Sequence, residues 1–351
     1  MDLLPSPTQI DTIDAIASYL REKLPVARYQ AFSYDTLDTP GGALKEVAAL
    51  GWFGFALDEA LGGSGGALTD EMLMMREVGR HVAPLWIPGG VLGARIAALA
   101  GKQELAAALL EGRASVAIAT ASGERPASTT TRSGRIHVIG AERAQYAVLV
   151  DVEGALLLDL SRLRLQSAPC IERQLSLHHA ELADGSVVAA VPVAKDNLFV
   201  RQTILMAAMQ AGNCEATRDM AVEYAKVREQ FGRPIGSFQA ISHMCVDMAL
   251  RCEQAWTQLS YACLAFEEGA PDAAFQVAAA AVLANRSAID NARANLQVHG
   301  GIGMTQAHSV NYFLKRSHVV ETLTGGSFMH LDAIMDTAGA AQNAGPVVVG
   351  A

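Results

Sequence analysis

The sequence predicts an α+β protein in three parts: a helical N-terminal region, a small middle β-domain and a C-terminal bundle of long helices. Three observations carry this. The chain has 351 residues, 51% of them apolar and 18% charged, enough for two or three domains at roughly 150 residues each. Apolar residues recur with a helical period up to residue 113 and again from about residue 201. Between these regions lie short apolar or alternating runs broken by Gly, Ser, Arg and Asp, which is strand spacing.

Taken in order, Ser6-Pro7 opens the first helix. Ser6 caps it, Pro7 suits its first position, and Gln9 completes a capping box. Ile10, Ile13, Ile16, Leu20 and Leu24 then recur until Pro25. Leu44–Leu50 reads as a second helix stopped by Gly51. Thr69 is expected to cap a third, with Met72, Met75 and Val78 on its apolar side, and a fourth surrounds Leu105–Leu110. Strands are expected at Val116–Thr120, Ile136–Ile139, Tyr146–Val150, Ala155–Leu160 and Val187–Val193. Gln202–Gln230, Phe238–Glu268 and Asp272–His299 read as helices near 30 residues, a length suited to a four-helix bundle that also packs against other subunits. Shorter helices follow from Gln306 to Val320 and after Ser327. The expected division is 1–113 (helical), 114–198 (truncated β-domain), 199–338 (bundle) and 339–351 (mobile tail).

Composition excludes several functions. Lys+Arg number 27 and Asp+Glu 36, a net charge of −9, so the chain lacks the basic footprint of a nucleic-acid or anionic-membrane binder. The five cysteines form no CxxC pair and no zinc spacing, and they read as core residues of a reduced protein. The start MDLLPSPTQ has no basic stretch followed by an apolar one, and no apolar run approaches the roughly 20 residues that span a bilayer. The expected setting is cytoplasmic, with no metal site.

Three glycine-bearing segments stand out. Gly62-Gly63-Ser64-Gly65-Gly66 lacks the ending of a P-loop and by itself reads as an interhelical turn. Arg228-Glu229-Gln230-Phe231-Gly232 followed by Phe238-Gln239 joins two long helices. Its Arg and Gln could donate to a diphosphate, although by itself a capped interhelical turn with a surface Arg is the simpler reading. Gln297-Val298-His299-Gly300-Gly301-Ile302-Gly303 carries more glycine than a helix end needs, and glycine lets backbone N–H groups approach an anion.

Together and in this order, these segments resemble the acyl-CoA dehydrogenase family. Leu50-Gly51-Trp52-Phe53-Gly54 and Glu77-Val78-Gly79-Arg80 extend the resemblance to the N-terminal region, so it covers nearly the whole chain. It implies that family's fold and its chemistry. FAD oxidises an acyl-CoA at Cα–Cβ, a carboxylate removes the α proton while hydride passes to the flavin, and electrons leave to an electron-transfer flavoprotein. It also implies that the bundle of one subunit holds the ADP portion of its neighbour's FAD. The matching residues are Arg228, Gln230, Phe231 and Gln239 in one turn, and Gln297, Val298, Gly300 and Gly301 in the other.

The remaining part of the family pattern departs. Where the family reads Leu-Thr-Glu-Pro, this chain has Ile118-Ala119-Thr120-Ala121-Ser122 continuing to Pro126, and Thr120 alone keeps a flavin-binding role. The Trp-Ile-Thr segment that packs on the flavin ring is missing, since Ile136–Gly140 runs almost straight into Tyr146. The catalytic Glu would fall at Thr324 or Gly325, or at Gln202, and none of these takes a proton. Glu321 is a weak candidate base, one helical turn away.

Such a pattern resembles the short subunits of heteromeric family members, some of which act on bulky acyl groups such as steroid side chains. The expected function is a subunit of an FAD-dependent acyl-CoA dehydrogenase, in a hetero-oligomer (tetramer) with a catalytic subunit. The alternatives are a self-sufficient dehydrogenase using Glu321 and a non-catalytic scaffold or CoA-binding protein.

Overall fold

The computed structural model describes residues 3–30, 41–122, 127–305 and 308–343. The N-terminal region holds α1 (Pro7–Lys23), α2 (Ala43–Ala49), α3 (Leu68–Arg80), α4 (Trp86–Leu99) and α5 (Gln103–Leu110). A seven-stranded sheet follows: β1 (Val116–Ala121), β2 (Gly134–Ile139), β3 (Tyr146–Asp151), β4 (Gly154–Asp159), β5 (Gln166–Ala168), β6 (Leu177–Leu182) and β7 (Val187–Pro192). Their order is β5-β6-β2-β1-β3-β4-β7, antiparallel except for β1 with β3. The C-terminal region is α6 (Leu198–Val227), the hairpin β8 (Glu229–Gln230) and β9 (Arg233–Pro234), then α7 (Gln239–Glu267), α8 (Ala273–His299), α9 (Val310–Thr322) and α10 (Gly326–Asn343). This is the expected helix–sheet–helix order. Helices α6, α7 and α8 pack on one another; α9 packs on α6 and α8, and α10 on α8. Among the described residues no helix is long and apolar enough to cross a membrane.

One large core joins the three parts. It takes Met72, Met75 and Val78 from α3, Ile118 and Ile139 from one face of the sheet, and Ile204, Leu205 and Leu259 from the bundle. The other sheet face has its own core, built on Ile136, Val138, Leu149, Leu156 and Leu182. Helices α3 and α6 cross backbone to backbone. A Cβ on Gly79 would lie 1.9 Å from the Met209 carbonyl oxygen, and one on Gly212 would lie 1.9 Å from that of Arg76. Arg76 and Arg80 of α3 then clasp Glu215 of α6 beside the crossing.

The capping box of α1 forms as expected, with Ser6 and Gln9 bonded reciprocally. Thr69 does not cap α3. The helix starts at Leu68, and Thr69 lies in its first turn, where its hydroxyl donates to Glu267 of α7. The same carboxylate accepts from the Leu68 N–H at 2.7 Å, so a residue 199 positions away satisfies donors of that turn. Helix α4 escapes periodicity because Pro88, Gly89, Gly90 and Gly93 lower its propensity. Those glycines allow a close approach: a Cβ on Gly89 would meet the Val116 carbonyl oxygen of β1 at 2.3 Å. Strands β5 and β6 are also additional, hidden by polar residues such as His178, His179 and Glu181.

The first long helix stops at Val227, because Glu229–Gln230 pairs with Arg233–Pro234 in the hairpin. Helix α9 begins at Val310; Gln306 and Ala307 of the expected helix lie outside the described residues. Helix α10 continues to Asn343, through the first five positions assigned to a mobile tail, while 344–351 lie outside the described residues. Cys214, Cys252 and Cys263 are buried, all five cysteines are free, and the Cys214 and Cys252 sulfurs lie 3.4 Å apart in the bundle core.

Arg316 of α9 is 1% exposed and Glu172, between β5 and β6, is 0% exposed. Their two parallel bonds are 2.8 Å and 2.6 Å long, and the guanidinium also donates to the Ala83 carbonyl between α3 and α4. Replacing Arg316 by Met leaves a buried, unpartnered carboxylate. The expected cost is about 3–5 kcal/mol, read as a fall in the urea midpoint, and Glu172→Gln added to Arg316→Met recovers part of it.

Candidate functional site

The two C-terminal turns form at the same end of the bundle. In the first, Arg228 leaves α6 in an extended conformation and Gln230 pairs with Arg233. Phe231 and Gly232 make the hairpin turn with φ of 54° and 78°, the left-handed pair of a type I′ turn. Phe231 is 92% exposed despite its apolar ring. It meets Phe238 edge-on at 6.1 Å, and Arg233 lies over the other aromatic ring at 4.1 Å. Arg228, Gln230 and Gln239 are exposed, and Arg228 has no ion pair among the described residues.

In the second turn, Gln297 is exposed and Val298 buried. Gly300 ends α8 at φ 62°, ψ −144°, a backbone region open essentially to glycine alone. A Cβ on Gly300 or Gly301 would meet nothing within 4 Å, so this backbone faces open space.

His299 joins the turns. Its ring stacks on Tyr224 of the last turn of α6, with centroids 4.1 Å apart, and its Nδ1 pairs with the Asn295 carbonyl. Val298, Ala221, Ala225 and Met248 form a shared cluster beneath, with Ile235 and Ile241 packed against it.

Thr120 stands apart from these residues. Its hydroxyl donates to the Thr322 carbonyl at the far end of α9, 3.4 Å away, whereas the second turn lies at the near end. Twelve rises of 1.5 Å place those ends about 20 Å apart. Gln202 of α6 is buried beside the same segment and donates from Nε2 to the Leu323 carbonyl at 2.6 Å. Thr324 is buried, and Gly325 has φ 86°. Glu321 is part-exposed; it accepts a hydrogen bond from Ser327 at 2.6 Å and lies 3.9 Å from His318. Gly123 to Pro126 lie outside the described residues.

Sequence reasoning missed His330. It is 3% exposed, stacks on Phe199, and its Nε2 has no partner among the described residues. A single histidine in that helix gives no signal in the sequence, because its burial is decided by the packing of α10. The glycine segment 62–66 is no phosphate cradle: the N–H groups of Ser64, Gly65 and Gly66 donate to the carbonyls of Gly54, Leu57 and Phe55.

Models of the acyl-CoA dehydrogenase N-terminal and C-terminal domains match residues 6–117 and 191–339, the regions that flank most of the sheet. Acyl-CoA dehydrogenase FadE34 of Mycobacterium tuberculosis is 35% identical over 289 residues; the match covers 80% of this chain and 40% of FadE34, so this chain spans well under half of that relative. Acyl-CoA dehydrogenase IpdE2 of the same organism is 32% identical over 75% of each chain. Among solved structures, the ChsE4-ChsE5 complex from M. tuberculosis has a chain that superposes with a TM-score of 0.80. It covers 99% of this chain and 100% of that one at 20% identity, a likeness of fold.

Helical domain, sheet and long-helix bundle thus define a protein of the acyl-CoA dehydrogenase fold. The chain belongs to the acyl-CoA dehydrogenase family, whose members use FAD.

Burial holds the imidazoles of His81, His299 and His330 below the ordinary value of 6.5. The unfolded chain therefore binds protons that the folded chain rejects. Stability is expected to be full above about pH 6.5 and to fall as pH drops through the window below it. His330→Asn should flatten that slope in denaturation midpoints measured from pH 7.5 to 5.

Proposed function

We propose that this chain is the non-catalytic subunit of a heteromeric acyl-CoA dehydrogenase, and that it holds the ADP portion of an FAD whose ring lies in a catalytic partner subunit. An asymmetry between the two halves of the expected site carries this reading. The two turns are set side by side with exposed donors and open backbone. The place where a flavin ring and a base would act is drawn together by the Thr120–Thr322 and Gln202–Leu323 bonds, and Gln202 and Thr324 supply no carboxylate.

The residues therefore fit one end of the cofactor. Arg228 would pair with a diphosphate oxygen. Gln230, Gln239 and Gln297 would hydrogen-bond the diphosphate and adenosine, and the ring of Phe231 would cover the adenine. Val298, Gly300 and Gly301 would shape the backbone against it. Thr120 is engaged with α9 and gives little to this half. When bound, FAD supplies the hydride acceptor for α,β-dehydrogenation of an acyl-CoA thioester, with an electron-transfer flavoprotein receiving the electrons. Exposed Phe328, Leu331 and Met335 on α10, and Val246 and Leu250 on α7, are apolar surface suited to subunit packing in a cytoplasmic hetero-oligomer.

Co-purification with a full-length family member tests this. The expected result is one FAD per two chains, with turnover only in the complex. A flavin-loaded chain that oxidises acyl-CoAs alone would overturn it. Arg228→Ala should weaken FAD retention by the complex roughly tenfold to a hundredfold, the worth of a charge-assisted hydrogen bond. Glu321→Gln should leave turnover within about twofold, since that carboxylate is engaged with Ser327; a loss of orders of magnitude would identify it as the base.

A further inference from the structure

One face of the sheet changes character along its strands. Near the helices it is apolar, with Ile118, Ile139 and Leu177 in or against the main core. Farther out, strand register lines up polar residues. Thr120 of β1 lies opposite His137 of β2, His137 opposite His179 of β6, and His179 opposite Gln166 of β5. The next row pairs Arg135 with Glu181. His137, His179, Gln166, Arg135 and Glu181, with Ser122 and Arg164, line a cleft of about 570 Å³. The two-residue period of the strands sends Ile136 and Val138 into the opposite core, which fixes the polar set on this side.

Ser122 sits just past β1. Its N–H donates to the Arg135 carbonyl at 3.0 Å, and its Oγ lies 2.5 Å from His137 Nε2. His179 leans on His137 with ring centroids 4.6 Å apart. Arg135 is paired with Glu181 at 2.9 Å, while Arg164 has no ion pair among the described residues. The cleft thus joins a hydroxyl bonded to an imidazole with a cation able to hold an anion. Neither the proposed FAD half-site nor the bundle uses this group of side chains.

We propose that Ser122 and His137 form a nucleophilic dyad that takes the acyl group of a small carboxylic ester or thioester bearing an anionic group, the anion being held by Arg164. As the Ser122 Oγ–carbon bond forms, the hydroxyl proton passes to His137 Nε2. The carbon–oxygen or carbon–sulfur bond to the leaving group breaks, and the imidazolium returns that proton to the departing alkoxide or thiolate. Water then attacks the acyl-serine, again through His137. The free acid leaves and Ser122 regains its hydrogen, so the sum is ester plus water to acid plus alcohol or thiol, with no redox change. Burial first, and then the neighbouring His179, hold His137 below 6.5, so its ring is a neutral acceptor at neutral pH. The charged or titratable groups facing it are Arg135 on its own strand, His179 and Glu181 on β6, and Arg164 before β5.

The test uses the purified chain, a fluorophosphonate probe, and two substrates: 4-nitrophenyl acetate and mono-4-nitrophenyl succinate. Peptide mapping of the wild-type chain should place the phosphonate on Ser122, far ahead of exposed Ser161. His137→Gln should slow labelling and hydrolysis about a hundredfold or more at an unchanged melting temperature. Arg164→Ala should raise KM for the succinate ester far more than for the acetate ester. The rate should reach half its plateau below pH 6.5, and His179→Asn should move that point upward. Labelling of Ser122 no faster than Ser161, or hydrolysis unchanged in Ser122→Ala, would overturn the proposal and leave the hydrogen bond as a structural tie. None of these readouts requires FAD or a partner, so the outcome is independent of the heteromeric reading.

Discussion

The assembly of this chain depends on one buried ion pair. Arg316 and Glu172 come from opposite ends of the fold's logic: a helix of the bundle and a loop of the sheet. Their charges lie in an interior where an unpaired carboxylate could not persist, so each requires the other in place. The guanidinium's further bond to Ala83 adds the N-terminal helices to the same point. Beside it, Val82 holds a left-handed φ of 47°, unusual for a β-branched residue, and its carbonyl accepts from Tyr29 and Arg28. Three regions that differ in secondary structure thus meet at a junction where geometry is set by charge and hydrogen bonding, not by shape alone.

That junction determines which surfaces remain open. With the sheet locked to α9, the Thr120 hydroxyl reaches the Thr322 carbonyl, and the α9–α10 turn settles onto Gln202. At the other end of α9, the bundle finishes in two turns whose backbones face outward. The stack of His299 on Tyr224 keeps them together, and Gly300 permits a backbone angle that a side chain would forbid. Closure at one end and exposure at the other are consistent with a subunit whose chemistry is completed by another chain.

Much of the fold was legible in the sequence, because the long helices carry strong periodicity and most strands are short apolar or alternating runs between turn residues. The parts that were not legible share a cause: long-range contacts override local preference. Thr69 looks like a helix cap, yet the carboxylate of Glu267 serves that helix from across the molecule. Helix α4 carries Pro88 and three glycines that weaken its helical signal, yet Gly89 lets β1 approach its backbone. Strand β6 looks too polar for a sheet, because His179 and Glu181 face a cleft. Of the site, the two turns were visible as motifs. His330 was not, since a single histidine on a helix carries no signal until its burial is known.

The sequence by itself determined the three-part architecture, the family, and the absence of a carboxylate at Gln202, Thr324 and Gly325, because periodicity and motif spacing are properties of the chain alone. Tertiary structure decided what stands next to what. It placed Tyr224 under His299, Thr120 against Thr322, and Ser122 against His137, pairs separated by 75, 202 and 15 residues. The physical reason is that side-chain chemistry is written locally, whereas hydrogen bonding and burial are settled only when distant segments share one interior.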